Sequence, residues 1–410
     1  MFRPSLIRGA SVDSPDVSGY GLARSRRASL SAEQRRKLSM LRSSSIPSPL
    51  TPVSHIYHLV PCPRKDCNQK YVVSTDRSGD IHVHVQGDLS QQDKRCVFLT
   101  VHDLGTNHST MVDFVNSPAM SEIKERSCFI HVDVPGHEEN SPDLPDSYQF
   151  PSLQTLGEDL ITVLDFLHVR YAVGLGEGAG ANVLARCGLA HPRRLLGLIL
   201  VNCTASTSSV ADAFRSRFSR WRGADISQSE EDFLIYHKFG HVSFENEKHF
   251  SYQQISSDSM EAGERERTLA EYRSRLRGNL NTHNIKQYVR AFINRKDLIL
   301  RGCQPDILLI TGMLSPYSTV IEKMYKELDK ERVTILKVDR AGDVLAETPA
   351  KVAQSLLLFC QGQGLLTSLP PPGVERRMSR AMSMEEYDKP NIRRLSLTPS
   401  VAESPPHRKL

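Results

Sequence analysis

The chain is poor in the features that would send it to a membrane or out of the cell. Its longest strongly apolar stretch, Leu195 to Val201, falls far short of the roughly 20 residues a bilayer-crossing helix needs. The opening Met1-Phe2-Arg3-Pro4 carries no secretory apolar region and puts Phe2 where N-myristoylation requires glycine, so a cytoplasmic location is expected. Cysteine is sparse: eight residues in 410, scattered, with Cys96, Cys128, Cys187, Cys203 and Cys360 inside apolar segments where a free thiol behaves as a small hydrophobe. That pattern suits a reducing compartment. His55, His58, Cys62 and Cys67 are zinc-compatible residue types lying close together, but their spacing matches no established zinc pattern. No metal and no cofactor is expected.

What is present is a globular middle between two basic tails. Hydrophobic residues make up 39% and charged residues 24% of the chain, the balance of a soluble body with polar appendages. Residues 1–50 carry a net charge of +6 and residues 370–410 of +3, which leaves the middle at −4 out of a total of +5. The first region, 1–52, is rich in Ser and Arg, lacks an apolar period and is read as disordered. Within it, Ser31-Ala-Glu-Gln34 resembles a capping box with Leu30, Leu38 and Leu41 on one side, a short helix that would form only on an acidic partner or membrane surface. The last region, 367–410, returns to the same composition after Pro370-Pro-Pro372.

Between them, over 53–366, short apolar runs alternate with helical periods. Tyr71-Val-Val73, Ile81-His-Val-His-Val85, Cys96 to Val101, Cys128 to Asp133, Tyr171 to Gly174, Leu198 to Val201, Ile307 to Thr311 and Val333 to Val338 read as strands. Leu153 to Leu167, Val183 to Leu189 and Val352 to Cys360 read as helices. This alternation predicts an α/β architecture, a mostly parallel sheet flanked by helices. The interval of about 206–302 breaks the rhythm. Leu269, Tyr272, Leu276 and Leu280, then Ile285, Val289 and Phe292, recur at three- and four-residue spacing, which predicts a helical cap inserted over the sheet's C-terminal edge.

An α/β-hydrolase-like sheet carries its nucleophile on a strained strand-to-helix turn of the form G-x-nucleophile-x-G. Here the corresponding segment is Gly174-Leu-Gly-Glu-Gly-Ala-Gly-Ala181. The frame flanked by Gly174 and Gly178 places Gly176 at the attacking position, and shifting it by two places Gly178 there. Neither has an attacking atom. Ser315 stands where the fold's acid is expected, after the strand that follows the cap, and Asp343 where its histidine is expected, after the last strand. Without nucleophile and imidazole no serine-type triad assembles, so the expectation is a protein that is not an enzyme. The alternative is a hydrolase with a displaced site around Glu177, His102 and His131, although Glu177, flanked by Leu175 and Ala179, does not fit the elbow frame.

Six segments in order, His102-Asp-Leu-Gly-Thr-Asn-His108, His131 to Gly136, Tyr148 to Ser152, Gly174 to Ala181, Gly312 to Pro316 and Phe359 to Gly364, resemble the N-myc downstream-regulated (NDRG) family over about residues 55–366. The resemblance implies an α/β-hydrolase fold without hydrolase activity, a mainly cytoplasmic location, and roles in signalling, stress response, differentiation or trafficking through partner proteins. The chain departs from the family at Gly342-Asp343, where two glycines are usual, and at Ala205 to Phe214, where a Trp-rich segment is usual; its single tryptophan is Trp221.

The tails supply the regulatory motifs. Arg three residues before Ser suits basophilic kinases, whose acidic groups pair with the guanidinium. It occurs at Ser11, Ser29, Ser39, Ser45, Ser379, Ser383 and Ser396, against about 2.6 occurrences expected from tail composition. Ser29, Ser379, Ser383 and Ser396 are the candidate phosphorylation sites, a reading that agrees with the phosphorylated C-terminal tails the family resemblance implies. The expected partners are signalling proteins and basophilic kinases, with peripheral membrane contact through the basic tails. Nucleic acid is not expected, because neither tail interleaves aromatics with its charges.

Overall fold

The computed structural model describes residues 68–206, 226–240 and 259–370. The tail serines, the capping-box segment, Trp221 and the His55, His58, Cys62 and Cys67 cluster lie outside these residues.

Eight strands form one sheet: β1 (Asn68–Thr75), β2 (Gly79–Gln86), β3 (Cys96–Val101), β4 (Ser127–Asp133), β5 (Ala172–Glu177), β6 (Leu195–Val201), β7 (Asp306–Gly312) and β8 (Val333–Val338). Their order is β1-β2-β4-β3-β5-β6-β7-β8. β1 pairs β2 and β2 pairs β4 antiparallel; every other pairing is parallel. The sequence reason is visible strand by strand. The continuous apolar runs of β3 and β4 are buried at every position, as central parallel strands between helical layers must be. Ile81-His-Val-His-Val85 instead alternates buried and partly exposed residues in β2, nearer the edge. Along β3, Val97, Leu99 and Val101 enter one core while Cys96 and Phe98 enter the other, the two-residue period of a strand.

Ten helices are described: α1 (His108–Asn116), α2 (Ser121–Glu125), α3 (Leu153–Phe166), α4 (Gly178–Ala190), α5 (Gln228–Phe239), α6 (Ser259–Gly278), α7 (Thr282–Ile293), α8 (Ser318–Glu327), α9 (Val344–Glu347) and α10 (Pro349–Gly362). In α3 the apolar residues Leu153, Leu156, Leu160, Val163 and Leu164 are all buried, and the Ser152 hydroxyl caps the helix by accepting the Thr155 amide at 3.1 Å. Helices α5 to α7 occupy the expected insertion between β6 and β7. They are tied together by charge: buried Glu231 on α5 receives Arg273, at 3.2 Å, and Arg277 from α6. Among the described residues no helix is long and apolar enough to cross a membrane.

One boundary differs in a way that matters below. β5 runs to Glu177, past the expected end at Gly174, because Gly174, Gly176 and Glu177 pair in register with Leu198, Leu200 and Val201 of β6. Pairing on both sides of a central strand overrides the low strand propensity of glycine.

Candidate functional site

The chain leaves β3 toward β4 on one side and has β5 on the other, so the connections beyond β3 and β5 diverge and leave a crevice at their carboxyl ends. Gly178, the first residue of α4, turns the chain there with φ +51°. Gly176 lies inside β5, paired with Val101 and Leu200. The elbow is therefore Gly176-Glu-Gly-Ala-Gly180 with Gly178 at the turn, which corrects the frame that assigned Gly176 to the attacking position. At Gly180 a side chain would place its Cβ 2.2 Å from the Val101 carbonyl oxygen, so only glycine lets α4 start this close to the end of β3.

The space beside Gly178 is filled by Asp103, from the loop after β3. A Cβ at residue 178 would lie 2.0 Å from Asp103 Oδ1. That oxygen accepts the Ala179 amide at 2.8 Å, the backbone donor that follows the turn residue and that in active enzymes of this fold receives the reaction's oxyanion. His237 on α5 donates through Nε2 to both Asp103 oxygens at 3.0 Å, and the hydroxyl of buried Tyr317 meets its Nδ1. Burial opposes the Asp103 charge, but His237, Lys238 and the Ala179 amide outweigh it and hold the carboxyl down at about 2. The insertion clamps this loop from above: Tyr272 on α6 donates to the Leu104 carbonyl at 3.4 Å and Tyr288 on α7 to the His102 carbonyl at 3.3 Å.

Beside the plug, Lys238 Nζ lies 2.7 and 2.8 Å from the two Glu177 oxygens and 3.0 Å from Asp343 Oδ2. All three side chains are at most 5% exposed. One cation thus serves the carboxylates of Glu177 and Asp343 with Asp103 close by. Burial, opposed by Lys238 and reinforced by Asp343 and Asp103, pushes the Glu177 carboxyl up to about 8. Burial would lower the Lys238 ammonium, but Asp343, Glu177 and Asp103 raise it further and keep it charged. Asp343 also caps α9, accepting the Leu345 and Ala346 amides at 3.2 Å each. Ser315 is buried and accepts the Tyr317 amide at 3.3 Å. A cleft of about 280 Å³ reaches Glu177, Lys238 and Asp343 and is walled by Tyr272 and Arg275.

His102 and His131 do not join Glu177. His102 donates through Nδ1 to the Asp103 carbonyl at 2.8 Å and accepts the Val134 amide at Nε2 at 3.2 Å; His131 sits between Thr100, 2.8 Å away, and Gln86, 3.3 Å away. Burial lowers both rings, His131 to about 3, so both are neutral near pH 7. The structure instead assembles groups the sequence did not single out. Asp103, His237 and Lys238 build the plugged elbow, and His84, His108 and Asp133 converge on one point. Asp103 stood in the first of the six segments that carry the family resemblance; His237 and Lys238 carried no local signal.

A mostly parallel sheet whose strand-to-helix turn faces the loop after β3 under a helical insertion is the architecture of the α/β-hydrolase fold. A thermophilic esterase from Thermogutta terrifontis superposes on 72% of this chain with a TM-score of 0.55 at 15% identity, covering 98% of that protein. The chain itself belongs to the Ndr family, whose profile matches residues 71–367. It is 37% identical to an uncharacterized protein of Caenorhabditis elegans over 340 residues, 82% of this chain and 96% of that one. It is 29% identical to Protein NDRG3 of Xenopus laevis over 319 residues, 74% and 78% of the two chains.

Proposed function

We propose that this chain is a non-enzymatic signalling or adaptor scaffold, working in the cytoplasm through partner proteins and regulated by phosphorylation of its basic tails. The observation that carries the first part is the Asp103 carboxylate, which fills the space a nucleophile would need at Gly178 and takes the Ala179 amide a reaction would need. A permanent anion held down at about 2 leaves no electrophilic hole for a transient one. Gly178 offers no attacking atom, and Asp343 offers a carboxylate already engaged by Lys238 and α9 where an imidazole would be needed. The second part rests on the basophilic motifs at Ser29, Ser379, Ser383 and Ser396 and on membership of the family. Added phosphate would turn basic tails toward neutral or acidic and so change their affinity for acidic partners and membrane surfaces.

A fluorophosphonate probe applied to the purified chain tests the first part: no label is expected, and a labelled serine would contradict it. Phosphosite mapping on protein recovered from cells tests the second: modification at Ser29, Ser379, Ser383 or Ser396 is expected, and unmodified serines at all four would overturn it. The competing reading, a hydrolase using Glu177, is favoured only by that residue's access to the cleft with a proton still on it near neutral pH.

A further inference from the structure

We propose that His84, His108 and Asp133 form a binding site for a divalent transition-metal ion of the zinc type. The three residues come from β2, the first turn of α1 and the end of β4, and one candidate ligand atom from each lies within 4.8 Å of the others. Asp133 is wholly buried. Its Oδ1 accepts the His108 backbone amide at 2.6 Å, which fixes the carboxylate and aims Oδ2 at the two rings. Oδ2 lies 2.7 Å from His108 Nδ1 and 3.3 Å from His84 Nε2.

Four observations make this more than a packed polar cluster. The first is burial: Asp133 is wholly buried, and among the described residues no lysine or arginine pairs with it. A buried carboxylate needs a cation. The second is the arrangement of the rings: His84 and His108 stack with centroids 3.5 Å apart and planes 9° apart, which gathers two imidazoles beside one carboxylate. A dication supplies the charge this carboxylate needs and accepts a lone pair from each ring. The third is an unmet polar atom: His84 Nε2 is buried and close to Oδ2, but it is not aligned for a hydrogen bond. The fourth is spacing, since ligands about 2.0–2.2 Å from a tetrahedral ion sit roughly 3.3 Å from one another, the separation found between His84 Nε2 and Asp133 Oδ2, with His108 Nδ1 closer at 2.7 Å.

Two imidazoles and one carboxylate select a borderline metal over magnesium or calcium, which prefer all-oxygen shells. The rings are 18% and 15% exposed, so solvent reaches the cluster and can supply a water as a fourth ligand. The ion would pin β2 and the start of α1 to the end of β4, at the far end of the connection that carries the Asp103 plug.

The test uses the full chain, stripped with chelator, titrated with Zn²⁺ by calorimetry and checked by elemental analysis and thermal melting. His84→Ala should bind one zinc fewer per chain, or bind it at least about 100-fold more weakly, and should lose the zinc-induced rise in Tm. Because His84 is partly exposed and makes no hydrogen bond through Nε2, this variant should keep the apo Tm and circular dichroism of the parent. His108→Ala should behave alike toward zinc. Cys62→Ser/Cys67→Ser, at the other cluster of metal-compatible residues, should leave this binding event intact. Equal zinc stoichiometry and affinity in the parent and both histidine variants would overturn the proposal. So would a Co²⁺ spectrum with thiolate charge-transfer bands that vanish in the cysteine variant while no cobalt is lost from His84→Ala.

Discussion

Replacing Lys238 by methionine should expose how the buried centre around Glu177 and Asp343 is held together. The substitution keeps the length of the buried stem and removes the one cation, among the described residues, that lies within 3.0 Å of both Glu177 and Asp343. Breaking a buried ion pair by deleting one partner costs about 3–5 kcal/mol, since the remaining charge stays desolvated. The cost here depends on pH. At pH 6, below the value of about 8 to which Glu177 is pushed, Glu177 is already neutral in the folded protein and the loss falls chiefly on Asp343, which α9 still supports through two amides. About 3 kcal/mol is then expected. At pH 9 the parent has ionised Glu177 against Lys238, whereas the variant must either bury two unpaired carboxylates or keep Glu177 protonated, so the loss should rise toward about 5 kcal/mol. Urea denaturation of parent and variant at both values measures the difference, and adding Glu177→Gln should abolish its pH dependence. A variant within about 0.5 kcal/mol of the parent at both values would refute the shared-cation account.

Further outcomes follow from the same geometry. Glu177 holds its proton when folded up to about 8 but loses it near 4.5 when unfolded, so the folded state binds the extra proton between those values. Its contribution therefore makes stability fall as pH rises across that window, by up to about 1.4 kcal/mol per pH unit; Glu177→Gln should remove that slope, and denaturation curves that keep it would show that another group titrates. Gly178→Ser meets both the positive φ and the Asp103 carboxylate and should cost roughly 3–5 kcal/mol. In Asp103→Ala/Gly178→Ser the clash is gone, so the double variant should be more stable than the sum of the single losses by at least about 1 kcal/mol; strict additivity would mean that Asp103 does not occupy the elbow.

The strands were legible where burial on both faces leaves a nearly unbroken apolar run, as in β3, which has the expected ends; the edge strand β8, only partly buried, also has the expected ends because β-branched and aliphatic residues dominate it. The three-and-four spacing of Leu153 to Leu164 likewise marked α3 within a residue. The elbow was misplaced by two residues because Gly174 and Gly176 look like turn residues, and only pairing with β6 shows that they are strand. The chemistry of the centre was less accessible. Asp103 and His237 are 134 positions apart and Glu177 and Lys238 61 apart, and no local period reports which polar residues of an insertion will point down into a sheet. His84, His108 and Asp133 sat in readable elements or signature segments, but their convergence follows from the order β2-β4-β3, a crossover that spacing along the chain does not encode.

The measurement that bears most directly on the non-enzymatic reading is steady-state turnover by the purified full chain over a broad ester, amide and phosphate panel, run beside Glu177→Gln. Rates at background for both proteins on every substrate are the predicted result. Turnover by the parent that the substitution abolishes would contradict the account and make Glu177, with Lys238 and the cleft above it, the centre of a hydrolase.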